Sequence, residues 1–270
     1  LFYNWTLGNG STIASRDATI SYLATDTLTV KMVVRTDKNC KDSPTQTVYI
    51  FPKPTVSFTV NDPIQCFDGN SFTFTNASSI EYGNLNYNWN LGDGTTSTQQ
   101  NPSKQYTAGS YTAKLIVTTN FGCQDSASKT ITIHPKPAAA FAVADTCFGF
   151  TSNFINNSTV STGSIQSHNW NFGDASTSTN QTPTHTYAAS GTYSVRLIVT
   201  TNNSCGDTLT KSVVIYPKPI AAFSVNDSDQ CVNGNSFAFT NSSTISSGTN
   251  TYRWNFGESA NDTSIVSTPP

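Results

Sequence analysis

The chain has 270 residues, of which 11% are charged, and a formal net charge of −2. So weak and balanced a charge excludes the electrostatic footprint of a nucleic-acid or acidic-membrane binder, and no apolar run approaches the ~20 residues that a bilayer span needs. Many Tyr and Phe stand beside a single Met, and the polar residues are mostly Thr, Ser and Asn, a mixture that favours strands and polar turns and points to an all-β secreted protein.

Self-similarity dominates the sequence. Pro-Lys-Pro recurs at Pro52–Pro54, Pro135–Pro137 and Pro217–Pro219, steps of 83 and 82 residues, and Trp5, Trp89, Trp170 and Trp254 keep nearly the same step, 84, 81 and 84 residues. The chain divides into the end of one repeat (1–54), two whole repeats (55–137 and 138–219) and the start of a fourth (220–270). It opens on LFYNWTLGNG and closes on STPP, each inside a repeat and without a leader-like segment, so it is expected to be cut from a longer polypeptide.

Within a repeat the apolar residues alternate with period two, the mark of half-buried strands. Phe58, Phe141 and Phe223 share one place in a first strand. A second strand sets Phe72 with Phe74, and Phe237 with Phe239, on one face. The third carries Tyr87, Trp89 and Leu91, matched by His168, Trp170 and Phe172 and by Tyr252, Trp254 and Phe256. A later long strand turns Tyr111, Ala113, Leu115 and Val117 inward and Lys114 outward, with Tyr193, Val195, Leu197, Val199 and Arg196 as counterparts. About seven short strands around a central Trp describe an immunoglobulin-like β-sandwich.

The run W-x-[FL]-G-[DN]-G, followed by N-P and a Tyr, then G-x-Y and alternating apolars ending in G-C, resembles the PKD domain in the tandem form of Bacteroidota surface proteins. The second repeat carries it at Trp89, Leu91, Gly92, Asp93, Gly94, Asn101, Pro102, Tyr106, Gly109, Tyr111, Gly122 and Cys123. The third carries it at Trp170, Phe172, Gly173, Asp174, Pro183, His185, Tyr187, Gly191, Tyr193 and Cys205. The resemblance implies tandem β-sandwiches arranged as an elongated rod, extracellular or on a cell surface, serving as spacer, adhesin stalk or accessory module.

Candidate sites are few. Asp93 invites a calcium reading, but the equivalent loops read Gly8-Asn9-Gly10, Gly173-Asp174-Ala175 and Gly257-Glu258-Ser259. The carboxylate varies while the glycine before it stays, as a tight turn requires. His168 stands where other repeats have Tyr3, Tyr87 and Tyr252, His185 aligns with Lys104, and His134 aligns with Phe51 and Tyr216, so none repeats as a catalytic or metal residue. No catalytic residues, metal or cofactor are expected. Asp26-Thr27-Leu28, Asp125-Ser126-Ala127 and Asp207-Thr208-Leu209 resemble the O-glycosylation tripeptide of Bacteroidota, which marks Thr27, Ser126 and Thr208. Sequons such as Asn76-Ala77-Ser78 matter only in a eukaryotic host, and no exposed aromatic platform for glycans is evident.

Six cysteines occupy two repeated places: Cys66, Cys147 and Cys231 before the second strand, and Cys40, Cys123 and Cys205 in the last hairpin. In an immunoglobulin-like topology these places lie at opposite ends of a domain. Pairing Cys66 with Cys205, between repeats, therefore fits better than the within-repeat alternative of Cys66 with Cys123 and Cys147 with Cys205. Peptide mapping without reduction is expected to yield a 66–205 link; a 66–123 link would contradict it. With Pro-Lys-Pro as a stiff extended connector, the expected function is a spacer segment of a large surface protein, in contact with its neighbouring repeats and an unidentified surface, glycan or protein partner. A polysaccharide- or protein-binding module, or accessory repeats of a secreted hydrolase, are the alternatives.

Overall fold

A computed structural model describes residues 1–256 and the strand Thr263–Ser264. The described residues form strands and turns without a helix, in two compact units, Leu1–His134 and a second from Pro135 onward.

In the first unit, the complete repeat is a two-sheet sandwich. Its larger sheet runs Thr96–Ser97, Leu85–Asn90, Gly109–Thr119, Gln124–His134 and Ile64–Cys66. All neighbours are antiparallel except the last pair, which is parallel with His134 opposite Cys66. The smaller sheet runs Ser103–Lys104, Phe72–Asn76 and Phe58–Val60. The period-two alternation sends Phe58, Phe72 and Phe74 from one sheet against Trp89, Leu115, Val117 and Ile131 from the other, all buried. Phe58 meets the Trp89 ring edge-on at 4.9 Å. Burial would orphan the indole N–H, but it donates to the Gln99 carbonyl at 2.9 Å. The same bond recurs from Trp170 to Asn180 at 2.9 Å and from Trp5 to Ser15 at 3.1 Å.

The second unit repeats the five-stranded sheet with Thr146–Cys147, Gly206–Tyr216, Gly191–Thr201, Ile165–Asn171 and Thr177–Ser178. Its opposite sheet is broken into two separate pairs, Phe141–Ala142 with Ile155–Asn156 and Ser152–Asn153 with Thr184–His185. The first segment contributes the sheet of Phe2–Thr6, Asp26–Arg35 and Thr45–Ile50; the last contributes Phe223–Val225 paired with Phe239–Asn241. Trp89 and Trp170 are fully buried, whereas Trp5 and Trp254 are half-buried. Phe237, expected inward beside Phe239, is exposed. Its counterpart Phe72 is covered edge-on by Tyr106, and no counterpart of that covering segment lies among the described residues.

Three of the sequons are structural. Asn76, Asn156 and Asn241 each accept the main-chain N–H of the serine two residues on, at 2.9–3.0 Å. Those serines, Ser78, Ser158 and Ser243, bond the first strand at Ser57, Ala140 and Ala222.

Cys66 and Cys205 are each disulfide-bonded, while Cys40, Cys123, Cys147 and Cys231 are free thiols. Neither within-repeat alternative is formed. Cys66 stands opposite His134 and Cys123 precedes Gln124, at the other end of the 11-residue strand Gln124–His134. Cys147 opposite Tyr216 and Cys205 before Gly206 repeat the arrangement. Such a strand is about 35 Å long, against the ~4.4–6.8 Å between Cα atoms that a disulfide tolerates.

Candidate functional site: turn clasps and repeat junctions

The Gly92-Asp93-Gly94 loop is closed by Leu91 N–H donating to the Thr95 carbonyl at 2.9 Å. Gly92 has φ +89°, and a Cβ there would lie 2.8 Å from the Thr112 carbonyl oxygen and 2.9 Å from its nitrogen. That close approach, between the loop and the long strand behind it, is why glycine is the constant element.

Asp93 Oδ1 accepts the Thr95 N–H at 3.1 Å and the Thr95 hydroxyl at 2.6 Å. Oδ2 pairs with Lys104 Nζ at 2.8 Å. The ammonium also donates to Thr95 Oγ1 at 2.8 Å and lies 5.7 Å over the Tyr106 ring. Tyr106 in turn donates its hydroxyl to the Leu91 carbonyl at 2.9 Å, and burial pushes its pKa upward. Both carboxylate oxygens are thus committed to a clasp that ties the loop to the Ser103–Lys104 strand. Partial burial alone would raise the Asp93 pKa, but the Lys104 and Thr95 hydrogen bonds and the Lys104 charge outweigh it and hold the carboxyl at about 2.

Because that value lies below the ~3.9 of a free aspartate, the stabilisation is complete above about pH 5 and disappears as pH falls toward the folded value. Acid titration of unfolding free energy is expected to show a loss on the order of 1–2 kcal/mol in that window. In Lys104→Met the acid-dependent part should shrink by more than half; an unchanged acid slope would contradict the clasp.

The third repeat keeps the clasp with a histidine in place of the lysine. His185 Nε2 lies 2.6 Å from Asp174 Oδ2, and Asp174 Oδ1 accepts the Ser176 N–H at 3.0 Å. The imidazole stacks on Phe172 at 4.3 Å and meets Tyr187 edge-on at 4.6 Å. Burial pushes the Tyr187 hydroxyl up to about 12, and it donates to the Phe172 carbonyl at 3.1 Å. Burial would raise Asp174, but its bonds to His185 and Ser176 hold it below the usual carboxylate range.

In the first segment the loop residue is Asn9, bonded to Ser11, and Ile20 stands two residues before Tyr22 where the other repeats have Lys104 and His185. The Gly257-Glu258-Ser259 loop lies outside the described residues. His168 sits 2.9 Å from the Asn156 amide nitrogen and is lowered by burial. His134 ends its strand opposite Cys66. Among the described residues no three His, Cys, Asp or Glu side chains group as metal ligands.

The second recurrent feature involves the connector lysines. Lys53 Nζ pairs with Asp125 at 3.0 Å and Lys136 Nζ pairs with Asp207 at 3.0 Å. Asp207 also accepts the Ala139 N–H at 2.9 Å. The Lys53 hydrogen bond lowers the Asp125 pKa. Burial opposes the lowering of Asp207, and the Ala139 N–H and Lys136 outweigh it. The acidic residue of two of the three glycosylation-like tripeptides, Asp125 and Asp207, is therefore a docking point for the Pro-Lys-Pro segment, while Ser126, Thr208 and Thr27 are exposed.

Within the first unit, the connector is held by aromatic contacts as well. Phe51 stacks on Phe121 at 4.0 Å, Tyr49 lies parallel to Phe51 at 6.2 Å, and Tyr82 meets Phe121 edge-on at 5.9 Å. Thr25 donates to Glu81 at 3.1 Å, and Cys123 Sγ approaches the Phe51 carbonyl at 3.9 Å. Tyr49 and Tyr82 remain 62% and 44% exposed. Residues separated by up to 72 positions assemble this aromatic cluster, beyond the reach of local patterning.

The family model described as PKD domain matches residues 51–135 and 134–215, more than half of the chain. A microbial collagenase of Vibrio alginolyticus is 51% identical over 59 residues, 22% of this chain and 7% of the collagenase, so the match touches a small part of that enzyme. Among solved structures, the PKD1 domain of the Vibrio cholerae metalloprotease PrtV is 35% identical, with 96% of it and 30% of this chain covered at a TM-score of 0.28. The PKD1 domain of Vibrio anguillarum Epp is 28% identical, with 93% of it and 30% of this chain covered at a TM-score of 0.28. Matched over two consecutive stretches, the chain belongs to the PKD domain family.

Proposed function

We propose that this chain is a non-catalytic spacer, a run of extracellular domains that holds an adhesive or enzymatic part at a distance within a large surface protein of Bacteroidota adhesin type. The observation that carries this reading is the junction between segment 1–54 and the following repeat. There an ion pair, an aromatic stack and a cross-junction hydrogen bond fix a connector that proline already stiffens. Residual dipolar couplings from residues 26–50 and 58–134 are expected to fit one alignment tensor. In Lys53→Ala/Phe121→Ala they should require two. Two tensors in the wild type would oppose the spacer reading.

A second reading is favoured by the identity to a collagenase segment, which makes these domains accessory repeats of a secreted protease. It expects the chain to be retained on insoluble collagen, and a chain recovered wholly in the supernatant would remove it.

A further inference from the structure

The third repeat has an open strand edge that its sister repeats fill with their own carboxamides. In the second repeat, Asn61 Nδ2 donates to the Ser71 carbonyl at 2.9 Å and its Oδ1 accepts the Thr73 N–H at 3.0 Å. Gln65 accepts the Ser71 N–H at 2.8 Å and donates to its carbonyl at 3.1 Å. Asn61 N–H reaches the Thr73 carbonyl at 3.3 Å. The fourth repeat reproduces these bonds. Asn226 bridges Ser236 and Ala238 at 3.0 and 2.9 Å. Gln230 holds both main-chain groups of Ser236 at 2.6 and 2.9 Å.

In the third repeat Ala144 stands three residues after Phe141, as Asn61 does after Phe58, and Thr146 precedes Cys147 as Gln65 precedes Cys66. Both carboxamides are lost. Thr151 and Asn153 flank Ser152, which faces His185 as Phe72 faces Lys104. Their main-chain N–H and C=O groups point toward the missing side chains, and none of the described residues bonds them. A groove of about 560 Å³ lies there, lined by Ala142, Ala144, Asp145, Thr146, Thr151 and Asn153. The neighbouring ladder also stops early, at Ala142 opposite Ile155, whereas the second repeat continues to Val60 opposite Phe74.

We infer that this groove binds an extended polypeptide segment of a partner protein through an Asn or Gln side chain. The carboxamide accepts the Asn153 N–H and donates to the Thr151 carbonyl, and the segment's backbone adds to the open edge. The ligand chemistry is set by what fills the same slot twice in this chain, a paired donor and acceptor on one planar group. The inference is independent of the spacer reading.

The probe is a synthetic peptide with the sequence of residues 57–65, Ser-Phe-Thr-Val-Asn-Asp-Pro-Ile-Gln, titrated into the ¹⁵N-labelled chain. The Thr151 and Asn153 amides are expected to shift, and a peptide with Ala for its Asn and Gln should bind about tenfold more weakly. Ala144→Asn supplies the missing side chain; it should abolish peptide binding and slow hydrogen exchange at the Asn153 amide at least tenfold. No shifts at millimolar peptide, equal binding of the Ala peptide, undiminished binding to Ala144→Asn, or an unprotected Asn153 amide in that variant would each overturn the assignment.

Discussion

Trp89→Ala is expected to unfold the complete repeat of the first unit. The side chain is fully buried, packs against Phe58 and Phe74 at 4.9 and 5.7 Å, and satisfies the Gln99 carbonyl. Truncating a buried Trp costs about 3–5 kcal/mol, and leaving an acceptor unpaired adds about 1–3 kcal/mol where it is shielded from water. A domain of this size holds on the order of 4–12 kcal/mol in total, so most of its stability disappears. Denaturant unfolding followed by circular dichroism should show an early transition that the wild type lacks. A loss below about 1 kcal/mol would mean that the Trp is not the centre of the core.

Gly92→Ala, and equally Gly173→Ala, is expected to cost about 2–4 kcal/mol, far more than a usual surface change. At Gly92 the backbone is left-handed, and the added Cβ would meet main-chain atoms of Thr112 inside 3.0 Å. Gly173 has φ +85°, with Ser194 nitrogen and oxygen both at 2.9 Å. Neither neighbour can move without disturbing one of the two 11-residue strands of its sheet. Gly94→Ala is the control: it has φ +87° but nothing within 4 Å, and its counterpart Ala175 adopts φ +73°. It should cost about 1 kcal/mol, the left-handed penalty alone. Equal losses at Gly92 and Gly94, measured by thermal unfolding, would show that conformation rather than close approach fixes the glycine.

These contrasts show what the residues disclose and what they hide. The sandwich follows from period-two alternation, the regular Trp step and the Pro-Lys-Pro punctuation, because each is a local pattern tied to a strand face or a turn. Asp93 reads from sequence as a turn residue, and it is one. Its bond to Lys104, eleven residues on across the other sheet, has no local signature. A signal was present in the copies: the acid occurs together with a nitrogen-bearing partner, as Asp93 with Lys104 and Asp174 with His185, and both are replaced where Asn9 meets Ile20. The pairing of Lys53 with Asp125 and Lys136 with Asp207 carries the same sort of signal, separations of 72 and 71 residues between connector and hairpin. The open edge at Thr151 and Asn153 is harder to foresee, since it arises from two absent side chains and a shortened segment between Asp145 and Cys147.

The role assigned to the chain rests on the repeats resisting extension. Single-molecule pulling of the chain with its disulfides reduced, held at its two ends, tests this most directly. Two force peaks are expected, one for each complete repeat, each releasing roughly 250–300 Å as about 80 residues extend at ~3.6 Å apiece. Extension of both repeats without a resolvable peak would contradict a load-bearing spacer.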